Sequence, residues 1–195
     1  SFLYDFRTKA VDTSLFPYST WAKISRETVY QNPQLLNPGE AQGDLYLRVS
    51  LAKYLHESRG VNCLPEQIII GAGIEYLIGL TAQLFKPQDK FAVENPGYSG
   101  TAQILQNNGR NVLFLPIGKD GITLNALEKN DPQVVYLTPS HQFPMGIIMP
   151  IGHRNRILNW AYQKQERYLI EDDYDSEFRF NVRPIPCLQG LDTHS

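Results

Sequence analysis

An α/β domain, with a mainly parallel sheet flanked by helices, is the fold class this sequence predicts, and three observations predict it. From Pro65 onward, short apolar runs alternate with segments of helical periodicity. The runs are bounded by Gly, Pro, Asn or Asp, as buried parallel strands are. The last run, Tyr168 to Asp172, turns within one step into the acidic cluster Glu171-Asp172-Asp173-Tyr174-Asp175. In open α/β sheets, ligands sit beyond the carboxyl ends of the strands, which is where this cluster falls.

Residues 1–18 read as extended, with apolar and polar positions alternating in Asp5-Phe6-Arg7 and Leu15-Phe16-Pro17-Tyr18. Ser19 or Thr20 can cap a short helix carrying Trp21, Ile24 and Val29. Asn32 to Gly43 holds prolines and glycines and is a loop. Asp44 then caps a helix whose apolar face is Leu47, Leu51, Tyr54 and Leu55, stopped by Gly60. Strands follow at Gln67–Ile70, Phe91–Glu94, Val112–Leu115, Val134–Thr138 and Tyr168–Asp172. Helices run between them, from Ile74 to Phe85, Ser99 to Asn108, Leu124 to Lys129 and Ile151 to Gln165. Residues 1–40 read as an arm without its own core and 41–195 as the domain. Strand order is not legible at this level.

Composition narrows the function classes. Lys+Arg 18 against Asp+Glu 20 gives a net charge of −2 with no basic run, so the chain carries no electrostatic footprint for nucleic acid. Cys63 and Cys187 lack metal-ligand spacing and read as reduced thiols of a cytoplasmic protein. No apolar stretch reaches membrane-spanning length, no signal peptide is evident, and both ends read as cut.

Three loops at strand ends hold unusual residues. Gly71-Ala72-Gly73-Ile74-Glu75-Tyr76 opens a helix, where small residues and free N–H groups suit a phosphate. As a dinucleotide fingerprint it lacks the third glycine, where Tyr76 stands. Glu94-Asn95-Pro96-Gly97-Tyr98 is a rigid turn that projects Tyr98 at the sheet edge, either to stack on a planar ligand or to pack. Thr138 to Gly146 holds Ser140-His141-Gln142 in a stiff loop, without a nucleophile–base–acid set. A phosphate cup, a stacking aromatic and a carboxylate at one edge suit a phosphorylated, protonated heterocycle such as pyridoxal 5'-phosphate (PLP). A carboxylate at its pyridine nitrogen keeps the ring an electron sink. A metal site from Asp172, Asp173 and Asp175 is a further reading. So is a nucleotide-binding Rossmann enzyme, such as a methyltransferase, with Glu94 on the ribose.

Four motifs occur in the order found in fold-type-I aminotransferases: Gly43 to Arg48, Glu94 to Tyr98, Thr138 to Gly146, and Glu171 to Phe180. The last two resemble the MocR subfamily of GntR-type transcriptional regulators, which join a winged-helix DNA-binding domain to an aminotransferase-like domain. The resemblance spans essentially the whole chain. It implies part of the fold-type-I PLP-dependent large domain, a homodimer, and a small amine or amino-acid effector. DNA would be bound only through a domain outside this chain, and no membrane is involved. It also implies that Asp172 meets the pyridine nitrogen, Tyr174 the phenolic oxygen and Tyr98 the ring face, with the N–H groups of Ala72, Gly73 and Ile74 on the phosphate.

Two departures stand out. Phe143 occupies the position of an asparagine in ordinary aminotransferases, and His141 or Gln142 is the candidate substitute for its polar contact. The Schiff-base lysine of the family follows the Asp–Tyr motif, whereas the last lysine here is Lys164. The expectation is therefore a cofactor-binding sensor fragment with no catalytic residue of its own. A fragment of a true amino-acid aminotransferase is the alternative.

Overall fold

The computed structural model describes residues 12–178 and 186–193. The chain divides after Ala41 into two compact units. In the first, the Asp12 carboxylate accepts from the Ser14 N–H at 3.0 Å and starts a 3-10 turn over Thr13–Leu15. That turn replaces the extended chain expected at residues 12–18; residues 1–11 lie outside the described ones. Helix α1 spans Tyr18–Gln31 and buries none of its residues. It begins ahead of the expected caps Ser19 and Thr20. Pro17 leads it, with φ fixed by its ring and its carbonyl accepting from Trp21 at 3.0 Å, and no side-chain cap is made. A 3-10 turn at Pro33–Leu36 interrupts the expected loop.

Helix α2, Leu45–Arg59, opens the second unit. Asp44 accepts from the Leu47 N–H at 3.1 Å, and Gly60 ends the helix at φ 70°. Its expected apolar face packs inward only in part: Leu51 and Leu55 are half-buried, Leu47 and Tyr54 are exposed, and the residues α2 fully buries are Arg48 and Arg59. Arg48 donates to the carbonyls of Gly43 and Pro65 at 3.0 Å each. Buried guanidinium groups need such partners, and here they anchor the helix.

The strand expected at Gln67–Ile70 is not in the sheet. Pro65–Gln67 forms a 3-10 turn, and Ile70 donates to Gln42 at 2.8 Å. Three successive isoleucines favour extended backbone, but a strand needs a ladder, and no described strand lies beside them.

The sheet holds β1 (Lys90–Asn95), β2 (Asn111–Gly118), β3 (Gly121–Ile122), β4 (Val134–Leu137) and β5 (Tyr168–Glu171) in the order β3-β2-β1-β4-β5. All pairs are parallel except β2 with β3, where Gly118 to Gly121 turns the chain back, with Gly121 at φ 103°. That short strand was not expected from the sequence. Helices α3 (Ile74–Ala82), α4 (Ser99–Asn107), α5 (Leu124–Asn130), α6 (Ile151–Tyr162) and α7 (Leu188–Leu191) cover both faces. Phe91, Val93, Val134 and Tyr136 point to the α3–α4 side; Ala92, Val135 and Leu137 point to the α5–α6–α7 side. Strand alternation thus splits the core in two. The strand order reverses between β1 and β4, and at such a switch point the carboxyl ends of the strands diverge into a crevice.

Candidate functional site

The period-2 rule that sorts the core also sorts the acidic cluster. Ile170 packs with the α3–α4 side and Leu169 with the other. Asp172 therefore continues on the α3–α4 side, and Glu171 and Asp173 on the opposite one. The Asp172 N–H still bonds the Leu137 carbonyl at 2.8 Å, so the ladder reaches this far.

Their partners follow from that divergence. The Tyr136 hydroxyl, on the same face, donates to Asp172 Oδ2. Asp173 Oδ2 lies 2.7 Å from Arg59 Nε of α2. Glu171 accepts from the Leu188 N–H at 2.7 Å and sits 3.5 Å from Arg154, which is fully buried in α6. Arg154 also donates to the carbonyls of Met149, Pro139 and Pro186, at 3.1, 2.8 and 3.0 Å, and so ties both ends of the loop after β4. Asp175 is 2.5 Å from His141 Nδ1. Among the described residues no cation pairs with Asp172. Burial pushes its carboxyl above the usual carboxylate range, opposed by the Tyr136 hydroxyl and assisted by the charges of Asp173 and Asp175.

A second carboxyl lies nearby. Glu94, buried at the end of β1, accepts at Oε2 from Thr138 Oγ1 (2.7 Å), Thr138 N (3.2 Å) and Gln142 Nε2 (3.3 Å). Its Oε1 has no hydrogen-bond partner among the described residues. Burial raises its pKa first of all, and the Thr138 and Gln142 bonds oppose the rise. Gln142 also donates to the carbonyls of Pro96 and Phe143, at 3.0 and 2.6 Å, stapling the loops after β1 and β4 together.

That staple sets the aromatic wall. Tyr98 and Phe143 meet edge to face with centroids 6.1 Å apart, and both rings are partly exposed. A Cβ on Gly100 would lie 2.7 Å from the Tyr98 ring, which folds back over the start of α4. A Cβ on Gly97 would lie 2.3 Å from the Glu94 carbonyl, so this turn requires glycine there. Tyr174 stacks on His141 at 6.0 Å and 16°, and its hydroxyl donates to the His141 carbonyl at 2.8 Å. Burial and the charge of Asp175 push its phenol above the usual value.

The start of α3 is built differently. Gly73, at φ 90°, precedes it, no side chain caps it, and residues 72–76 are exposed. The first N–H groups of a helix have no partner within it, and nothing lies within 4 Å of a Cβ placed on Gly73. The turn between Ala82 and Lys90 returns the chain to the beginning of β1. Since Ile78 and Ala82 pack with Phe91 and Val93, this start faces the carboxyl edge.

Tyr98 follows β1, and Asp172 and Tyr174 follow β5, at the same edge of the sheet; Ala72, Gly73 and Ile74 open α3. Gln142 is buried and committed to the loops, so it supplies no ligand contact; His141 is exposed. The three aspartates of the metal reading face Tyr136, Arg59 and His141 separately. Glu94, the ribose candidate, is buried, with Oε2 held by Thr138 and Gln142 and Oε1 unpartnered among the described residues. Sequence reasoning missed Tyr136, Arg59 and Arg154. Tyr136 carries a faint signal, a hydroxyl in an apolar strand; the arginines carry none, because their partners are distant in the chain.

The residues fit PLP on the structure's own terms. A cation-free carboxylate suits a protonated ring nitrogen, and Tyr98 offers a ring edge or face; the helix-start amides suit a phosphate, though the Gly73 N–H is bonded to the Gly71 carbonyl at 2.9 Å and would have to leave it.

Comparison with known proteins identifies the family. Residues 10–182 match the model of the aminotransferase class I and II family. The uncharacterised HTH-type transcriptional regulator YdeL of Bacillus subtilis is 43% identical over 98% of this chain and 41% of its own length. The probable rhizopine catabolism regulatory protein MocR of Rhizobium meliloti is 36% identical over 91% of this chain and 36% of its own. The chain therefore spans about two fifths of these relatives. The crystal structure of LysN, an α-aminoadipate aminotransferase from Thermus thermophilus complexed with N-(5'-phosphopyridoxyl)-L-leucine, superposes with a TM-score of 0.81. It is 26% identical and covers 92% of this chain and 46% of that one.

Proposed function

Because this chain belongs to the aminotransferase class I and II family, we propose that it is part of the effector-sensing, PLP-binding domain of a transcriptional regulator. The observation that carries the cofactor reading is Asp172, a half-buried carboxylate that no described cation neutralises, on the sheet face shared with α3. Bound PLP would supply an electron-withdrawing ring to which an amine can be joined. Asp172, steadied by Tyr136, would hold the proton at the ring nitrogen. The N–H groups of Ala72, Gly73 and Ile74 would hold the phosphate, Gly73 giving up its 2.9 Å bond to the Gly71 carbonyl, and Tyr98 would lie on the ring. Tyr174 would have to exchange its bond to the His141 carbonyl for one to the phenolic oxygen.

The regulator reading is supported by 43% identity to YdeL and 36% to MocR. Phe143 supports it as well: it puts an apolar edge beside Tyr98 where ordinary aminotransferases have an amide. An amine or amino-acid effector would act by binding two domain arrangements unequally, with DNA contacted through a domain outside this chain. A homodimer in the cytoplasm is the setting that fits; among the described residues no helix is long and apolar enough to cross a membrane. The likeness to LysN keeps a second reading, an aminotransferase acting on amino acids.

The test uses the intact protein. Steady-state transamination over a panel of amino acids is measured beside effector-dependent operator binding. The regulator reading expects DNA affinity to change with effector while turnover is slow. Rapid multiple turnover with unchanged DNA binding would leave the aminotransferase reading standing.

A further inference from the structure

Two consecutive carboxylates, Asp172 and Asp173, leave β5 on opposite faces and take different partners. Asp173 pairs with Arg59 Nε at 2.7 Å, and the same guanidinium donates through Nη2 to Ser140 Oγ at 2.6 Å. The Arg59 side chain is only 6% exposed, so solvent screens the pair little. It reaches from the last turn of α2 into the loops after β4 and β5, and its own carbonyl accepts from the Cys187 N–H at 3.3 Å. A planar guanidinium can hold a carboxylate and a hydroxyl at once in fixed directions, which an ammonium cannot.

We propose that Arg59 is a positioning residue: it neutralises Asp173 and ties it to Ser140, so that Asp172 alone presents a negative charge to a bound cation. Without Arg59, the unmasked charge of Asp173 would act on Asp172 and any cation it holds, and the β4 and β5 loops would lose their common tether. The inference rests on the PLP reading above, because it concerns which carboxylate the ring nitrogen meets. A purely structural role predicts something else, a loss of stability with unaltered electrostatics at the ligand.

The experiment uses PLP itself and the intact protein. Binding is followed by equilibrium absorbance, the pH midpoint of the bound chromophore by spectral titration, and ligand-free stability by thermal melting. Arg59→Gln should weaken binding about tenfold and move the chromophore midpoint upward by about 1 in pH, as an unmasked carboxylate favours the protonated ring. Adding Asp173→Asn removes the unmasked charge and should return the midpoint to the wild-type value. Arg59→Lys keeps the charge but not the fork, so it should keep the midpoint and lose affinity. If R59Q does not fold, the Lys variant and Ser140→Ala carry the test; both should weaken binding at unchanged midpoint. A lower melting temperature with unchanged affinity and midpoint in R59Q, or in these two milder variants, would overturn the proposal. Failure of the wild type to bind PLP would overturn the cofactor reading and the proposal with it, which distinguishes the two failures.

Discussion

The loops after β1, β4 and β5 and the loop that opens α3 face the same edge of the sheet but are held in opposite ways. In the first region, Asp173, Glu171, Glu94 and Gln142 draw partners from α2, α6, α7 and neighbouring loops. In the second, Gly73 has no neighbour around its missing Cβ, and no side chain caps the helix. On the proposed reading, the end that meets the ring nitrogen is set before a ligand arrives, and the end that meets the phosphate is left for the ligand to complete. A preorganised end fixes orientation, and an open one leaves binding energy for the ligand to supply.

The strongest way to break this contrast is to cut the deepest tie. Arg154→Met strips a partner from Glu171 and from three carbonyls in the buried region, and should cost about 3–5 kcal/mol. Urea denaturation measures it, and a loss below about 1 kcal/mol would mean the edge is not held by this residue.

Tyr136→Phe removes the donor to Asp172 while keeping the ring in the α3–α4 core. A hydrogen bond to a charged group contributes about 1.5–3 kcal/mol, so stability near neutral pH should fall by about 2 kcal/mol. The fall should shrink in acid, where Asp172 is protonated. An equal loss at both pH values would place the tyrosine's contribution in packing instead.

Gly73→Ala tests the open region. A backbone at φ 90°, ψ 170° strains any residue with a Cβ by about 1–3 kcal/mol, but an exposed loop with empty space around it can relax most of that. The fold should therefore lose about 1 kcal/mol or less, while PLP affinity falls clearly. Unchanged affinity would remove this loop from the site.

The mildest test is pH. Burial raises Asp172, Glu94 and Glu171, so the folded chain holds more protons than the unfolded one between the ordinary carboxylate values and the raised ones. Stability from these groups declines as pH rises through that window. Asp131, lowered by its bonds to Lys164 and Arg167, acts oppositely, its contribution vanishing as pH falls through its folded value. Glu94→Gln should flatten the upper decline in a melting series from pH 4 to 8, where both pH limits are about the carboxylate-to-histidine range. An unchanged slope would mean Glu94 stays charged throughout.

The sequence signals that proved legible were local. Four of the five expected strands, the Asp44 cap and the Gly60 stop depend on neighbours in the chain, and each is found in the structure. The Gln67–Ile70 strand depended on a ladder partner, which local β-propensity cannot report. The apolar stripe of α2 misled in part, because Leu51 and Leu55 are only half-buried while two arginines are buried fully. For the site, the acidic cluster was visible as a cluster. Which aspartate faces which side needed the register of β5 on β4, and the partners Tyr136 and Arg59 lie 36 and 114 residues from theirs.

The most direct measurement is PLP affinity in Asp172→Asn beside Asp173→Asn. If Asp172 meets the ring nitrogen and Asp173 belongs to Arg59, the first variant weakens binding about tenfold or more, and the second much less. Equal losses, or a larger loss in Asp173→Asn, would contradict the assignment on which the site rests.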